Sequence, residues 1–259
     1  VKTDHTVWCW GSNDSGMLGS ALLASAVPVQ ISSIDDAVAV TGSGSFSCIL
    51  RTDSTVECWG DNSSGQLGDG TTDSSNTPVP VQGLGNVSQL ASGFSSSCAV
   101  RTTGTVACWG RNSAGQLGNG TTDDSNTPVE VAGITTATSV SIQDRHACAL
   151  LSDTTVKCWG TNTEGELGDG TTTDSSTPVA VSGLSGVTSL DAGFVWTCAT
   201  IDDGSLKCWG SNMFNLLGGA TTEPYSPVPV AIPGIQTAVE VASGYQICAR
   251  LANHSVMCW

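Results

Sequence analysis

The chain has 259 residues, a formal net charge of −15 and only 12% charged residues. A surface this acidic repels phosphate groups, which argues against nucleic acid or anionic lipid as a partner. No apolar run approaches the roughly 20 residues that a membrane-spanning helix needs, so membrane insertion is not expected. The 31 glycines and the abundant serine and threonine instead favour short strands joined by turns.

One motif recurs along the chain with a period of about 50 residues. The triplet Cys-Trp-Gly begins at positions 9, 58, 108, 158 and 208, and Cys258-Trp259 ends the sequence. The period predicts a single domain over 1–259, with 1–10 forming the end of a preceding unit. The repeats are approximately 9–57, 58–107, 108–157, 158–207 and 208–257.

Each repeat contains four segments that are typical of short strands. After the turn-rich stretch that follows Cys58-Trp59-Gly60, a strand is expected at Val79–Val81, where Pro80 suits a sheet edge. A glycine turn leads to a second strand at Val87–Ala91, and the segment from Cys98 to Cys108 reads as a hairpin of two more strands. Four short strands per repeat, with turn residues between them, predict an all-β propeller with five visible blades.

Ten of the eleven cysteines fall into pairs separated by ten residues, with turn residues at the midpoint. Folding such a segment as a hairpin places the two cysteines opposite each other. This favours disulfides over zinc sites, which usually need C-x2-C spacings or nearby histidines. Disulfides indicate an oxidising compartment, and hence an extracellular or cell-surface protein. The predicted pairs are Cys48–Cys58, Cys98–Cys108, Cys148–Cys158, Cys198–Cys208 and Cys248–Cys258.

Cys9 has no partner in this pattern, because its position would pair with a residue upstream of Val1. A free reactive thiol is one interpretation, and a chain cut in mid-hairpin is the other. The strand Thr6–Trp10 also repeats the role of Ser255–Trp259, and a closed ring of five blades has no place for it. We therefore expect a segment of a larger ring, or alternatively self-assembly by donation of the spare strand.

The recurring motif has residues suited to structural tasks. Its tryptophans offer large apolar surfaces for packing one blade on the next. Gly60 and Gly65 allow positive φ or close backbone approach, and Asn62 suits a turn. Leu67 is expected in the core.

The sequence Trp-Gly-x-Asn-x-x-Gly-Gln-Leu-Gly at 59–68 and 109–118, with Gly93 and Cys98-Ala99-Val100 later in the period, resembles the regulator-of-chromosome-condensation repeat. It is most similar to the cysteine-bearing forms of secreted bacterial proteins. The resemblance covers essentially the whole chain and implies a β-propeller, usually of seven blades. Members of this family include exchange factors, enzyme inhibitors and adhesion modules, so the resemblance implies a fold and not one function.

The repeats differ most from one another just before the first cysteine of each pair. In a propeller these equivalent loops gather near the axis on one face, where a mixed aromatic and polar rim suits protein or glycan recognition. The alternative is drift in loops that need only be soluble. The candidate contact residues are Phe46, Arg145, His146, Trp196 and Tyr245.

Catalysis is not expected from these residues. Asp144, Arg145 and His146 are consecutive, and neighbouring strand residues point to opposite faces, so the three cannot easily converge as a triad. No cofactor is expected, although loop carboxylates keep calcium as an alternative in an extracellular chain. Those carboxylates are Asp69, Asp73, Asp123, Asp124, Asp169 and Asp174.

The sequence thus predicts a non-catalytic extracellular module that presents propeller-face loops to a protein or glycan partner. A structural subunit of an extracellular filament or coat is the first alternative, and concentration-dependent assembly would distinguish it. An inhibitor of a secreted enzyme is the second.

Overall fold

A computed structural model describes residues 1–20, 24–244 and 246–259 of the chain. Within these residues the strands form six antiparallel sheets that follow one another in chain order. The first sheet has two strands, β1 (Trp8–Ser12) and β2 (Ala24–Gln30).

The four sheets that follow have four strands each, connected in sequence. They consist of β3 (Ala37–Gly42), β4 (Phe46–Arg51), β5 (Val56–Gly60) and β6 (Ser75–Pro80); β7 (Val87–Ser92), β8 (Ser96–Arg101), β9 (Val106–Gly110) and β10 (Ser125–Glu130); β11 (Ala137–Ile142), β12 (His146–Leu151), β13 (Val156–Gly160) and β14 (Ser175–Ala180); and β15 (Val187–Ala192), β16 (Trp196–Ile201), β17 (Leu206–Ser211) and β18 (Tyr225–Ala231).

The last sheet has three strands, β19 (Ala238–Ser243), β20 (Ile247–Leu251) and β21 (Val256–Cys258). A short 3-10 turn spans Met213–Asn215 between β17 and β18. The described part of the chain contains no helix that is long and apolar enough to cross a membrane.

The sheets are arranged as the blades of a propeller, which confirms the predicted fold class. The first strand of each complete blade contacts the first strand of the next blade, so β3, β7, β11, β15 and β19 lie innermost, around a common axis. Extensive strand contacts join each sheet from the second to the sixth to its neighbour in chain order, and among the described residues none of this extent joins the first sheet to the last. The chain therefore forms an arc of blades.

The blades are offset from the sequence repeats. Strands β6, β10, β14 and β18, which follow the long loop of each repeat, pair with the preceding hairpin and form the outer edge of that sheet. A repeat counted from Cys58 thus supplies the two outer strands of one blade and the two inner strands of the next. Pro78 and Pro80 lie in β6, where an edge strand tolerates the missing amide donors.

The five predicted cysteine pairs are joined as disulfides across the second and third strands of their blades. In each pair the two residues are direct cross-strand partners, as the register Cys98↔Cys108 illustrates. The hairpin geometry expected from the spacing therefore places these residues opposite one another. Cys9 lies half-buried in β1 as a free thiol.

A recurring tryptophan contact joins neighbouring blades, as the repeated motif predicted. Trp109 is fully buried between β9 and the preceding blade, where it packs with Leu50 and Leu67. Its indole N–H donates a hydrogen bond to the backbone oxygen of Gln66 in that preceding blade, at 3.0 Å. The equivalent bonds are Trp59 to Met17, Trp159 to Gln116, Trp209 to Glu166 and Trp259 to Leu216.

A buried asparagine organises the long loop between the third and fourth strands. The Oδ1 atom of Asn112 accepts a hydrogen bond from the Leu117 amide at 2.9 Å. Its Nδ2 atom donates to the backbone oxygens of Thr121 and Asp123, at 3.1 and 2.9 Å. Asn62, Asn162 and Asn212 make the same set of bonds in their own loops.

Asn62 was predicted to suit a turn, and its side chain also connects the two ends of the loop through these hydrogen bonds. Gly65, within the same loop, has a φ of 79° and lies against the backbone of Asn126 in the next blade. A side chain at this position would meet that backbone, so both the left-handed conformation and the close approach require glycine.

Replacing Asn112 by alanine is expected to lower the free energy of unfolding by about 3 kcal/mol, because one buried amide and two carbonyls lose their partners. Urea unfolding monitored by tryptophan fluorescence measures the change. Asn76→Ala is the matched control, because Asn76 is an exposed asparagine in β6. Equal stabilities for the two variants would contradict the role assigned to the buried asparagine.

Candidate interaction surface at the axial end of the propeller

The turns between the first and second strands of successive blades gather at one end of the axis. We name these turns the tip surface; it comprises residues 42–45, 92–95, 142–145, 192–195, 243–244 and 246. Tyr245, a predicted contact residue, lies outside the described residues. Residues from all five turns line one pocket of about 280 Å³, the tip pocket, which places them around a common opening.

Two phenylalanines give the tip pocket its apolar character. Phe94 and Phe194 are 53% and 44% exposed, although both belong to otherwise tightly packed turns. They occupy the same position in their turns, four residues before the first cysteine of the disulfide. Gln143 lies on the blade between theirs and adds an amide to the same lining. The pocket thus combines two aromatic faces with neutral polar residues, which are Gln143, Ser43 and Ser92.

Backbone contacts between blades hold these turns in place. The Phe94 amide donates to the Gln143 carbonyl at 3.1 Å, and the hydroxyl of Ser43 donates to the Phe94 carbonyl at 3.1 Å. Three consecutive blades are therefore tied through one residue. Gly93 lies so close to the Gln143 carbonyl oxygen that a Cβ atom would collide with it. The glycine is needed for this approach.

The structure corrects the predicted contact residues. Arg145 is exposed beside the tip pocket, but Phe46, His146 and Trp196 are buried between blades. These three residues begin strands β4, β12 and β16, so their side chains already follow the inward alternation of a strand. Side chains at this depth do not reach a partner at the surface.

Phe94 and Phe194 were not among the predicted contact residues, because they lie two positions before the one that Phe46 and Trp196 occupy in their repeats. Phe94 and Phe194 each follow a glycine, Gly93 and Gly193, at the apex of the turn. A glycine directly before a large apolar residue, with the strand alternation starting two residues later, is the signal that could have identified them.

His146 makes a contact between blades. It is 1% exposed, and its Nε2 atom lies 2.9 Å from the Thr197 hydroxyl. Because that hydroxyl donates to the Glu166 carbonyl, at 3.1 Å, it accepts from His146, which assigns the proton of the ring to Nε2. Burial lowers the pKa of His146 to about 4, so the ring is neutral at ordinary pH.

The inner strands form a polar groove of about 520 Å³ along the axis. Among its described lining residues, Asp191 is the one ionisable group. Its carboxylate accepts a hydrogen bond from the Ser141 hydroxyl of the preceding blade, at 2.9 Å, and another from the Ser243 amide of the following blade. Burial raises the pKa of Asp191 to about 6, while these hydrogen bonds act in the opposite direction.

Four of the six loop carboxylates considered for calcium accept hydrogen bonds within their own loops; they are those of Asp69, Asp124, Asp169 and Asp174. Asp69 Oδ1 accepts hydrogen bonds from the amide and hydroxyl of Thr71 and from Asn62 Nδ2. Asp174 Oδ1 caps the Asn162 amide at 2.7 Å. Within the described ranges, no group of three or more histidine, cysteine, aspartate or glutamate residues is arranged to hold a metal ion.

Comparison with known families identifies the repeat. The model of the "Regulator of chromosome condensation (RCC1) repeat" matches residues 4–50, 55–100, 103–150 and 155–199. A second model of this repeat matches 37–66, 87–116 and 137–166. A search of curated proteins finds no match to the chain.

Solved propeller structures are similar in fold. Yeast RCC1 (Prp20), crystallised bound to Kap60, has a TM-score of 0.85 at 21% identity, covering 100% of this chain and 66% of that one. Human WBSCR16 has a TM-score of 0.81 at 23% identity, covering 93% of this chain and 66% of that one. The ectodomain of the Physcomitrella patens receptor kinase CR4 has a TM-score of 0.62 at 22% identity, covering 100% of this chain and 58% of that one. The chain spans less than two thirds of each of these chains, and at such identities the likeness concerns the fold.

His146 and Asp191 are expected to give the free energy of unfolding opposite pH dependences. An unfolded histidine has a pKa of about 6.5, so the unfolded chain binds more protons than the folded chain between pH 6.5 and 4. Stability from this group is therefore lost as the pH falls through that window. An unfolded aspartate has a pKa of about 3.9, so between about pH 3.9 and pH 6 the folded chain binds more protons at Asp191 than the unfolded chain does. The stability from this group is therefore lost as the pH rises through that window.

The variants His146→Gln and Asp191→Asn separate the two contributions. Relative to the unmodified protein, the stability of His146→Gln should fall by about 3 kcal/mol as the pH rises from 4 to 6.5. That of Asp191→Asn should rise by a similar amount between pH 4 and 6. Urea unfolding at several pH values measures both, with the exposed His254→Gln as control. If the free energy of unfolding of both variants changed with pH in parallel with that of the unmodified protein, the contributions assigned to His146 and Asp191 would be wrong.

Proposed function

The chain belongs to the regulator-of-chromosome-condensation repeat family, and on that premise we propose that it is a non-catalytic extracellular module that binds a protein partner through the tip surface. A propeller of this family is a protein-interaction scaffold whose specificity lies in its loops. The proposal assigns the contact to Phe94, Phe194 and Arg145.

The exposure of two phenylalanines on fixed turns is the observation that carries the proposal. Large aromatic side chains at a surface are favourable anchors for a partner, because they bury much area and lose little conformational freedom. Phe94 and Phe194 share one pocket, and the backbone of the Phe94 turn is bonded to both neighbouring blades. A preformed surface of this kind loses less entropy on binding than a mobile loop does.

The extracellular location is supported by the five disulfides. Such bonds persist in oxidising compartments and are rare where thiols are kept reduced. The charge of −15 suits a soluble surface that avoids nucleic acid. A protein partner has a precedent in the family, because yeast Prp20 was crystallised bound to Kap60.

A non-catalytic role is supported by the chemistry of the titratable groups. The buried His146 donates to a threonine whose hydroxyl is itself committed to a carbonyl, so the pair does not activate a nucleophile. Asp191 is committed to two neighbouring inner strands. Neither group lies among the lining residues of the tip pocket.

Photo-crosslinking from the tip surface tests the proposal. A benzoylphenylalanine at position 94 should crosslink a protein partner in the extracellular medium of the source, whereas the same group at Asn253, an exposed residue at the opposite end, should not. Binding of the purified partner should weaken about tenfold in the double variant Phe94→Ala/Phe194→Ala, as expected for aromatic anchors.

Val256→Ala is the control for this measurement, because Val256 is an apolar residue that is 61% exposed and lies at the start of β21, next to the turn at the opposite end. Equal crosslinking from both ends, or an affinity that the double variant leaves unchanged, would overturn the assignment to the tip surface.

A further inference from the structure

We infer that the tip pocket takes an apolar or aromatic side chain carried on a positively charged segment of the partner protein. This inference rests on the proposed function and specifies the chemistry of its partner. Two independent features lead to it: the lining of the pocket and the charge of the loops around it.

The lining of the tip pocket suits one inserted side chain. Phe94 and Phe194 offer aromatic faces, and Gly42, Gly44 and Gly244 are lining positions that carry no side chain. Aromatic pairs prefer offset or edge-to-face contacts with a further ring, and such contacts strengthen binding beyond the burial of area. The amide of Gln143 offers a donor and an acceptor but no charge. The pocket itself is therefore selective for apolar bulk.

The long loops between third and fourth strands, which we name the outer loops, lie at the same end of the molecule. Their first residues are bonded to the tip surface through the amides of Asp61, Arg111 and Thr161, which donate to the carbonyls of Ser45, Ser95 and Arg145. These bonds measure 2.8 to 2.9 Å. A partner seated on the tip pocket is thus surrounded by the outer loops.

The outer loops are strongly acidic, with Arg111 as their one basic residue in the sequence. Their exposed or half-buried carboxylates are Asp14, Asp61, Asp69, Asp73, Asp123, Asp124, Glu164, Asp169, Asp174 and Glu223. At the opposite end the carboxylates are interspersed with basic residues, which are Lys2, Arg51, Arg101, Lys157, Lys207 and Arg250. The negative potential is therefore concentrated around the tip pocket.

Charge complementarity then selects the partner. A cationic segment is attracted to this end of the protein from a distance, while an acidic one is repelled. Arg145, beside the pocket, is a local positive group that a partner carboxylate or backbone carbonyl would pair with. An uncharged glycan would stack on the phenylalanines without using the acidic loops, so the observations favour the basic segment.

A set of labelled synthetic peptides tests the inference by fluorescence anisotropy. The probe has one central tryptophan with two lysines on each side; one comparison peptide replaces the tryptophan by alanine, and the other replaces the lysines by glutamates. At about 50 mM salt the probe should bind about tenfold more tightly than either comparison peptide. Raising the salt to about 300 mM should weaken its binding severalfold, because screening acts on the charged contacts.

Substitutions in the protein locate the binding. Phe94→Ala/Phe194→Ala should weaken binding of the probe about tenfold, as expected for aromatic anchors, and Val256→Ala, at the opposite end, should leave it unchanged. Thermal unfolding of each variant is compared with that of the unmodified protein. A folding defect is therefore recognised directly.

Other outcomes overturn the inference. Absence of probe binding, equal binding of the lysine and glutamate peptides, or equal loss with Val256→Ala would each do so. Binding of a neutral oligosaccharide in competition with the crosslinked partner would replace it with glycan recognition. If the purified partner depends on Phe94 and Phe194 but its binding is insensitive to salt, the proposed function stands while the inference about charge fails.

Discussion

The hydrogen bond from a recurring tryptophan indole to the preceding blade is the interaction on which the rest of the structure depends; it is made by Trp59, Trp109, Trp159, Trp209 and Trp259. Trp109 fills the space between two blades with apolar surface, and its N–H fixes the distance and angle to the loop at Gln66. A sheet of four short strands has two apolar faces to cover, so a blade is stable only against its neighbours. Repetition of one contact sets both the curvature of the arc and the position of every loop.

The disulfides and the buried asparagines act within this frame on different parts of a blade. Each disulfide joins the second and third strands, as Cys98–Cys108 does, and thereby limits the freedom of the unfolded hairpin. Each asparagine, such as Asn112, satisfies backbone groups of a long loop that has few ladder bonds of its own. A chain rich in glycine, serine and threonine therefore keeps its loops ordered without helices to support them.

The sequence allowed the fold to be predicted because the features that define it are periodic. The strands, the disulfides and the packing role of tryptophan all recur at one interval, and the structure contains them. The candidate contact residues are the positions that break the period, so the direction of their side chains could not be obtained from repetition. His146 and Trp196 looked like turn residues but begin strands, and Asp191, which the differences between repeats did not single out, lies in an inner strand. Burial at these positions depends on the next blade, which local sequence does not describe.

The way in which the turns are fixed explains why the repeats differ from one another at this surface. The Phe94 turn is held by its own amide and carbonyl, by the Gln143 carbonyl and by the absence of a side chain at Gly93. None of these contacts uses the side chain of Phe94. Side chains at the apex can therefore change from phenylalanine to Asp144 or Gly244 without disturbing the blades. A surface in which the backbone carries the stability leaves its side chains available for recognition.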